Sequence, residues 1–232
     1  MSRRTRQLDL DLRERARWGG RHAGAGRKPG PNARHAHRPR LPLAARFPCH
    51  ITLKVRRGLP SLRTVRLVRE LERSFAAACD RGRFRLVQYS IQNDHFHAIV
   101  EATNERDLAS GMKSIGSRLA RAVNRIFRRR GAVLADRYHL HVLRTPREVR
   151  HALAYVLLNA RKHGVRVARI DPFSSGEAFD GWSDVRGSLA TRRSEPSALL
   201  PPPFVRARCW LLTVGWRKLG LIDVDATPGR SC

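Results

Sequence analysis

Phe84-Arg85-Leu86-Val87-Gln88-Tyr89-Ser90-Ile91-Gln92-Asn93-Asp94-His95-Phe96-His97-Ala98-Ile99-Val100-Glu101 reads as two strands and the turn between them. Residues 84–91 are rich in β-formers, Asn93-Asp94 supplies turn chemistry, and 95–101 is a second apolar run. Side chains two apart in a strand share a face, so His95, His97 and Glu101 point the same way. Two imidazoles at that spacing can share one metal ion, although a polar outward strand face would also explain the pair.

Elements of matching length flank this hairpin. Upstream, His50–Val55 alternates with period two, a first strand. Gly58 and Pro60 mark a turn, and residues 62–78 carry Val65, Val68, Leu71 and Phe75 at helical spacing, closed near Gly82. Downstream, Leu108, Met112, Ile115, Leu119, Val123 and Ile126 form the apolar stripe of a long helix. Residues 133–143 read as a fourth strand, with a second His-x-His pair at His139 and His141 that we take as strand alternation. Thr145-Pro146-Arg147-Glu148 is a capping box with proline at the first helical position, and Gly164 is the expected stop of the helix it opens. The order strand, helix, strand, strand, helix, strand is a split βαββαβ unit. It predicts a ferredoxin-like α+β sandwich with one added helix.

The flanks differ in composition. Residues 1–48 are dominated by Arg, Gly, Pro and His without apolar periodicity, and are expected to be a basic, disordered arm. Residues 49–170 are expected to hold the folded domain. Residues 171–232 are expected to be a loop and Pro-rich linker followed by one closing helix over 207–221 that carries Trp210. The four cysteines, Cys49, Cys79, Cys209 and Cys232, form no Cys-x-x-Cys site and read as reduced thiols.

Charge narrows the partner. The 232 residues hold 47 Lys and Arg against 19 Asp and Glu, a formal net charge of +28. Nucleic acid is the expected partner of such a surface. No apolar stretch is long enough to span a bilayer, and the start lacks the apolar core of a secretion signal, so we expect a cytoplasmic, nucleoid-associated protein with no membrane partner. Arg118, Arg121, Arg125 and Arg128 recur on one side of the long helix, an expected phosphate-tracking face. There is no Gly-rich nucleotide loop, and no small-molecule cofactor is expected.

The helix after Thr145 carries the remaining chemistry. Val149, Leu153, Val156, Leu157 and Ala160 make its apolar face, and His151, Tyr155, Asn159 and Lys162 lie opposite. Tyr155 can act as a nucleophile through its phenolate oxygen, which needs a cation nearby because a free phenol ionises near pH 10. Asn159 can add an oxygen ligand to His95 and His97. Mg²⁺ or Mn²⁺ accepts such a mixed set.

His95-Phe96-His97 together with Tyr155-Val156-Leu157-Leu158-Asn159-Ala160-Arg161-Lys162 resembles the single-tyrosine HUH transposases, especially the REP-associated tyrosine transposases and their IS200-like relatives. The resemblance covers roughly residues 49–170. It departs from the family pattern at Ala160, where proline usually follows Asn. It implies an enzyme that cleaves and rejoins single-stranded DNA at hairpin or repeat sequences through a 5′-phosphotyrosine link. By the same resemblance Tyr155 is the nucleophile, and His95, His97 and Asn159 surround a divalent metal. Lys162 and the arginine stripe are expected DNA contacts. Relatives act as monomers or homodimers, and both stay open here. The alternative is a domesticated protein that binds DNA or RNA hairpins without cutting. A relaxase or rolling-circle initiator shares the residues but would be expected beside a helicase motif, which is absent.

Overall fold

The computed structural model describes residues 42–76, 82–162, 169–183 and 204–226. Residues 1–41 of the expected arm, the Pro-rich stretch at 192–203, Cys79, Cys232 and the helix stop at Gly164 lie outside the described residues, while Leu43, within the expected arm, is buried in the core.

Four strands form one antiparallel sheet: β1 (Cys49–Lys54), β2 (Phe84–Ile91), β3 (His95–Ala102) and β4 (His139–Val142), in the order β2-β3-β1-β4. Helices α1 (Val65–Ala76) and α2 (Glu105–Ile126) connect them. This is the βαββαβ sandwich expected from the element order, and the added helix follows as α3 (Pro146–Leu157).

Strand alternation sorts the sheet into two unlike faces. Ile51, Leu53, Phe96, Ala98 and Val100 join Leu71, Phe75, Leu108, Ile115 and Leu119 in the main core under α1 and α2. The helix α2 runs so close to β2 that a Cβ on Gly111 would lie 2.1 Å from the Phe84 ring, so only glycine fits there. The opposite face carries His50 and Thr52 on β1 with His97 and Ile99 on β3. Where it is apolar, Ile99 packs with Val149, Leu153 and Val156 of α3 and with Leu212 and Trp216 from the C-terminal segment. The β2–β3 ladder slips between Leu86 and Gln88, a bulge that puts Tyr89 and Ile91 on the same face as Phe84 and Leu86. Helices therefore cover both faces of β2 and β3.

Three sequence expectations need correction. The fourth strand is four residues long rather than eleven. The Asp136 carboxylate takes the Arg137 N–H (2.7 Å), withdrawing that donor from the ladder, and Leu134 makes only an isolated bridge to Val55. The helix after Thr145 is interrupted at Leu158, where ψ is 9°, and resumes as a short α4 (Asn159–Lys162). The closing helix is two pieces, α5 (Trp210–Thr213) and a 3₁₀ turn at Gly215–Leu219. The Trp210 ring lies over Gly215, where a Cβ would approach it to 2.7 Å, and the break turns Trp216 into the core. Among the described residues no helix is long and apolar enough to cross a membrane.

Candidate active site

The register of β1 against β3 pairs Thr52 with His97 and Lys54 with His95, while β4 sets His141 opposite His50 and His139 opposite Thr52. Directly opposed residues share a face, so these side chains line one side of the sheet. His97 is buried at its centre. Its Nδ1 lies 3.1 Å from Thr52 Oγ1 and 3.2 Å from His50 Nε2. Burial, with the nearby His141 adding, pushes the His50 pKa down to about 4. His50 is therefore neutral at physiological pH and can accept through Nε2. The assignment that satisfies both contacts has His97 donating its Nδ1–H to Thr52 and His50, which makes Nε2 the lone-pair nitrogen of His97.

His95 is oriented in the same manner. Its Nδ1 donates to Asp94 Oδ1 at 2.7 Å, and Asp94 Oδ2 sits 3.6 Å from Lys54 Nζ. The hydrogen bond from His95 holds the Asp94 carboxyl below its usual range. Burial opposes that shift, and the charges of His95 and Lys54 reinforce it. A carboxylate behind an imidazole is the arrangement that fixes a metal-binding histidine and raises its basicity. The two imidazole centroids are 4.6 Å apart, at 84°.

The third part arrives on α3. Thr145 caps this helix through the Glu148 N–H, and Glu148 accepts in return from the Thr145 N–H, so the box read in the sequence is formed. Half-buried Tyr155 stands edge-on to both central imidazoles, 5.2 Å from His97 and 5.7 Å from His50 between centroids. The structure thus brings His95, His97 and Tyr155 together across two distant parts of the chain. It adds His50 and Thr52, which sequence reasoning missed. Their alternation within β1 shows which face they share, but only the register shows that β3 lies beside them.

Asn159 is wholly buried, and neither its Oδ1 nor its Nδ2 has a hydrogen-bond partner. It does not continue an exposed stripe from His151 and Tyr155 as the sequence suggested, because the break at Leu158 turns it inward. Leaving a buried amide unsatisfied costs about 1–3 kcal/mol, so this is a group that an incoming ligand would satisfy. Among the described residues no three His, Cys, Asp or Glu side chains are grouped to hold a metal ion. The two oriented imidazoles present donors of a kind that a divalent ion of borderline character takes.

Other expected residues lie elsewhere. Arg118 bonds Ser114 and Ser74, and Arg125 pairs with Glu70, so both brace α2 against α1 on the far side of the sheet. Arg121 and Arg128 are exposed, Arg128 with a left-handed φ of 48° just past the helix. The Lys162 side chain lies outside the described residues. Glu101 shares the face of His97 but is occupied: its Oε2 accepts from Arg85 Nε at 3.1 Å, and its Oε1 from the Arg208 and Cys209 N–H groups at 2.8 Å each.

The family described as IS200-like transposase matches residues 48–156, from the start of β1 to just past Tyr155. A solved structure of a REP-associated tyrosine transposase bound to a REP hairpin is 20% identical, with 61% of this chain and 82% of that chain covered and a TM-score of 0.48. A bacterial tRNA(His) guanylyltransferase-like protein in complex with GTP is 11% identical over 49% of this chain and 62% of that chain, with a TM-score of 0.36. No curated protein matches.

Proposed function

We propose, from the match of residues 48–156 to the IS200-like transposase family, that the chain cleaves and rejoins single-stranded DNA through Tyr155. The observation that carries this reading is the phenol of Tyr155 set edge-on against the buried His97 and half-buried His50 imidazoles on the polar face of the sheet. A tyrosine serving only to shield its helix has no use for that neighbourhood.

His95 and His97, with Asn159 as the third donor, would hold a divalent ion such as Mg²⁺ or Mn²⁺. Such an ion, when bound, polarises phosphate oxygens as a Lewis acid. Asp94 and Thr52 fix the two rings. The Tyr155 oxygen gives its proton to solvent and attacks phosphorus, and the bond to the 3′ oxygen breaks as that oxygen takes a proton from water. That leaves a 3′ hydroxyl on one DNA fragment and a 5′ phosphate esterified to Tyr155 on the other. Attack by another 3′ hydroxyl reverses these bonds and rejoins the strand. Arg121 and Arg128 would hold phosphates of the same DNA away from the cut, because α2 lies behind the sheet, and Lys162 would hold those nearer to it.

Incubating the chain with 5′- and 3′-labelled hairpin DNA, with metal or chelator, tests this on a denaturing gel. The wild type is expected to give a protein–DNA adduct on the 5′-phosphate side only when metal is present, and Tyr155→Phe to give none. An undiminished adduct from Tyr155→Phe overturns the assignment. Metal-insensitive binding without nicking would make the chain a hairpin binder instead.

A further inference from the structure

A second site lies along the same sheet. A cavity of about 610 Å³ opens between the segment before β1, the start of β2, the end of β3 and residues 208–211. That is an ordinary size for a small-ligand pocket, about 300–1,000 Å³. Its rim carries Arg46, Arg83, Arg144 and Arg208, all exposed and, among the described residues, none in an ion pair. Its walls include two aromatic rings. Phe47 has the Arg46 guanidinium 4.8 Å and that of Arg144 5.7 Å from its centroid. Trp210 leans on Gly215, has the Lys218 ammonium 5.4 Å from its ring centroid and is still 52% exposed, unusual for so large an apolar ring.

The one carboxylate among the lining residues, Glu101, is spent on Arg85 and on the Arg208 and Cys209 N–H groups. The cavity therefore presents uncompensated positive charge beside flat apolar surface. Arginines serve phosphates, and exposed rings serve bases, whose stacking is tolerant of sequence. The chain's own Arg-rich N-terminal residues carry the wrong charge to fill it. Glu101 stands four residues along β3 from His97, about 13 Å at strand rise, so a strand cut at Tyr155 reaches the cavity within a few nucleotides.

We propose that this pocket holds one unpaired nucleotide of the DNA strand that Tyr155 cuts, its base against Trp210 and its phosphates on the arginine rim. The proposal rests on the strand-transfer reading, but its test does not require cleavage. The full chain carrying Tyr155→Phe, in chelator, is titrated with a labelled, unstructured DNA oligonucleotide. Adding Trp210→Ala is expected to weaken binding about tenfold, the usual loss when a stacked ring is removed. Trp210→Phe is expected to retain most of the affinity and to abolish the tryptophan quenching seen on binding. Arg83→Gln with Arg208→Gln is expected to weaken binding and flatten its salt dependence.

Unchanged affinity in Trp210→Ala and in the double arginine variant overturns the proposal. So does quenching that persists in Trp210→Phe, a polyglutamate peptide that competes as well as DNA, or a mononucleotide that binds as tightly as the oligonucleotide. If wild-type chain forms no adduct while these variants still lose affinity, the pocket stands and the strand-transfer reading falls. Adduct formation with unaffected variants has the reverse meaning.

Discussion

His50 is held at a pKa of about 4 against an ordinary value of 6.5, so the unfolded chain takes up a proton over a range of pH where the folded chain does not. Stability of the metal-free protein should then fall as pH drops from about 6.5 to about 4, by roughly 3 kcal/mol from this group. His50→Gln should flatten that slope. Urea unfolding in chelator at several pH values checks it, and an equal slope in both proteins would remove His50 as the cause. Glu101→Ala should be costlier at any pH. It strips the partner from buried Arg85 and from two backbone N–H groups, a loss of about 3–5 kcal/mol readable in the same denaturation experiment. The sequence made His95, His97 and Tyr155 legible because a two-residue step in a strand and a helical stripe are local patterns. It left His50 and Thr52 unread because their role depends on which strand lies next to theirs.

Secondary structure was readable wherever periodicity was long. The apolar stripe of α2 and the residues of β2 stand where alternation and spacing put them. It failed where one side chain diverted a backbone donor, as Asp136 does before β4, or where a ring needed room, as Trp210 does over Gly215. The helix α3 is anchored at both ends of its burial. Its capping box fixes the start, and Trp216, stacked 5.6 Å from Phe179 and bonded to the Leu212 carbonyl, supports its inner face. Glu148→Ala should cost about 1 kcal/mol by opening the box. Trp216→Ala should cost about 3–5 kcal/mol by emptying the cluster behind α3. If α3 positions the tyrosine as argued, Trp216→Ala should also lower adduct yield at a temperature where the variant is still folded by circular dichroism. Full yield under those conditions would make the tail irrelevant to the chemistry.

For the molecule as a whole, a net charge of +28 sets the scale of its response to salt. Affinity for hairpin DNA should fall by roughly 10³ or more between 50 and 200 mM salt if six or more phosphates are neutralised. A flat dependence would mean that the basic residues face solvent rather than DNA. The element order alone predicted the sheet, since a split βαββαβ unit has few ways to close. It said nothing of the C-terminal segment, whose short pieces carry no period to read. That segment supports α3 with Trp216 and donates N–H groups to Glu101 from Arg208 and Cys209. That tail is a splint: its pieces are too short to stand as helices of their own, yet they keep the inner face of α3 out of water.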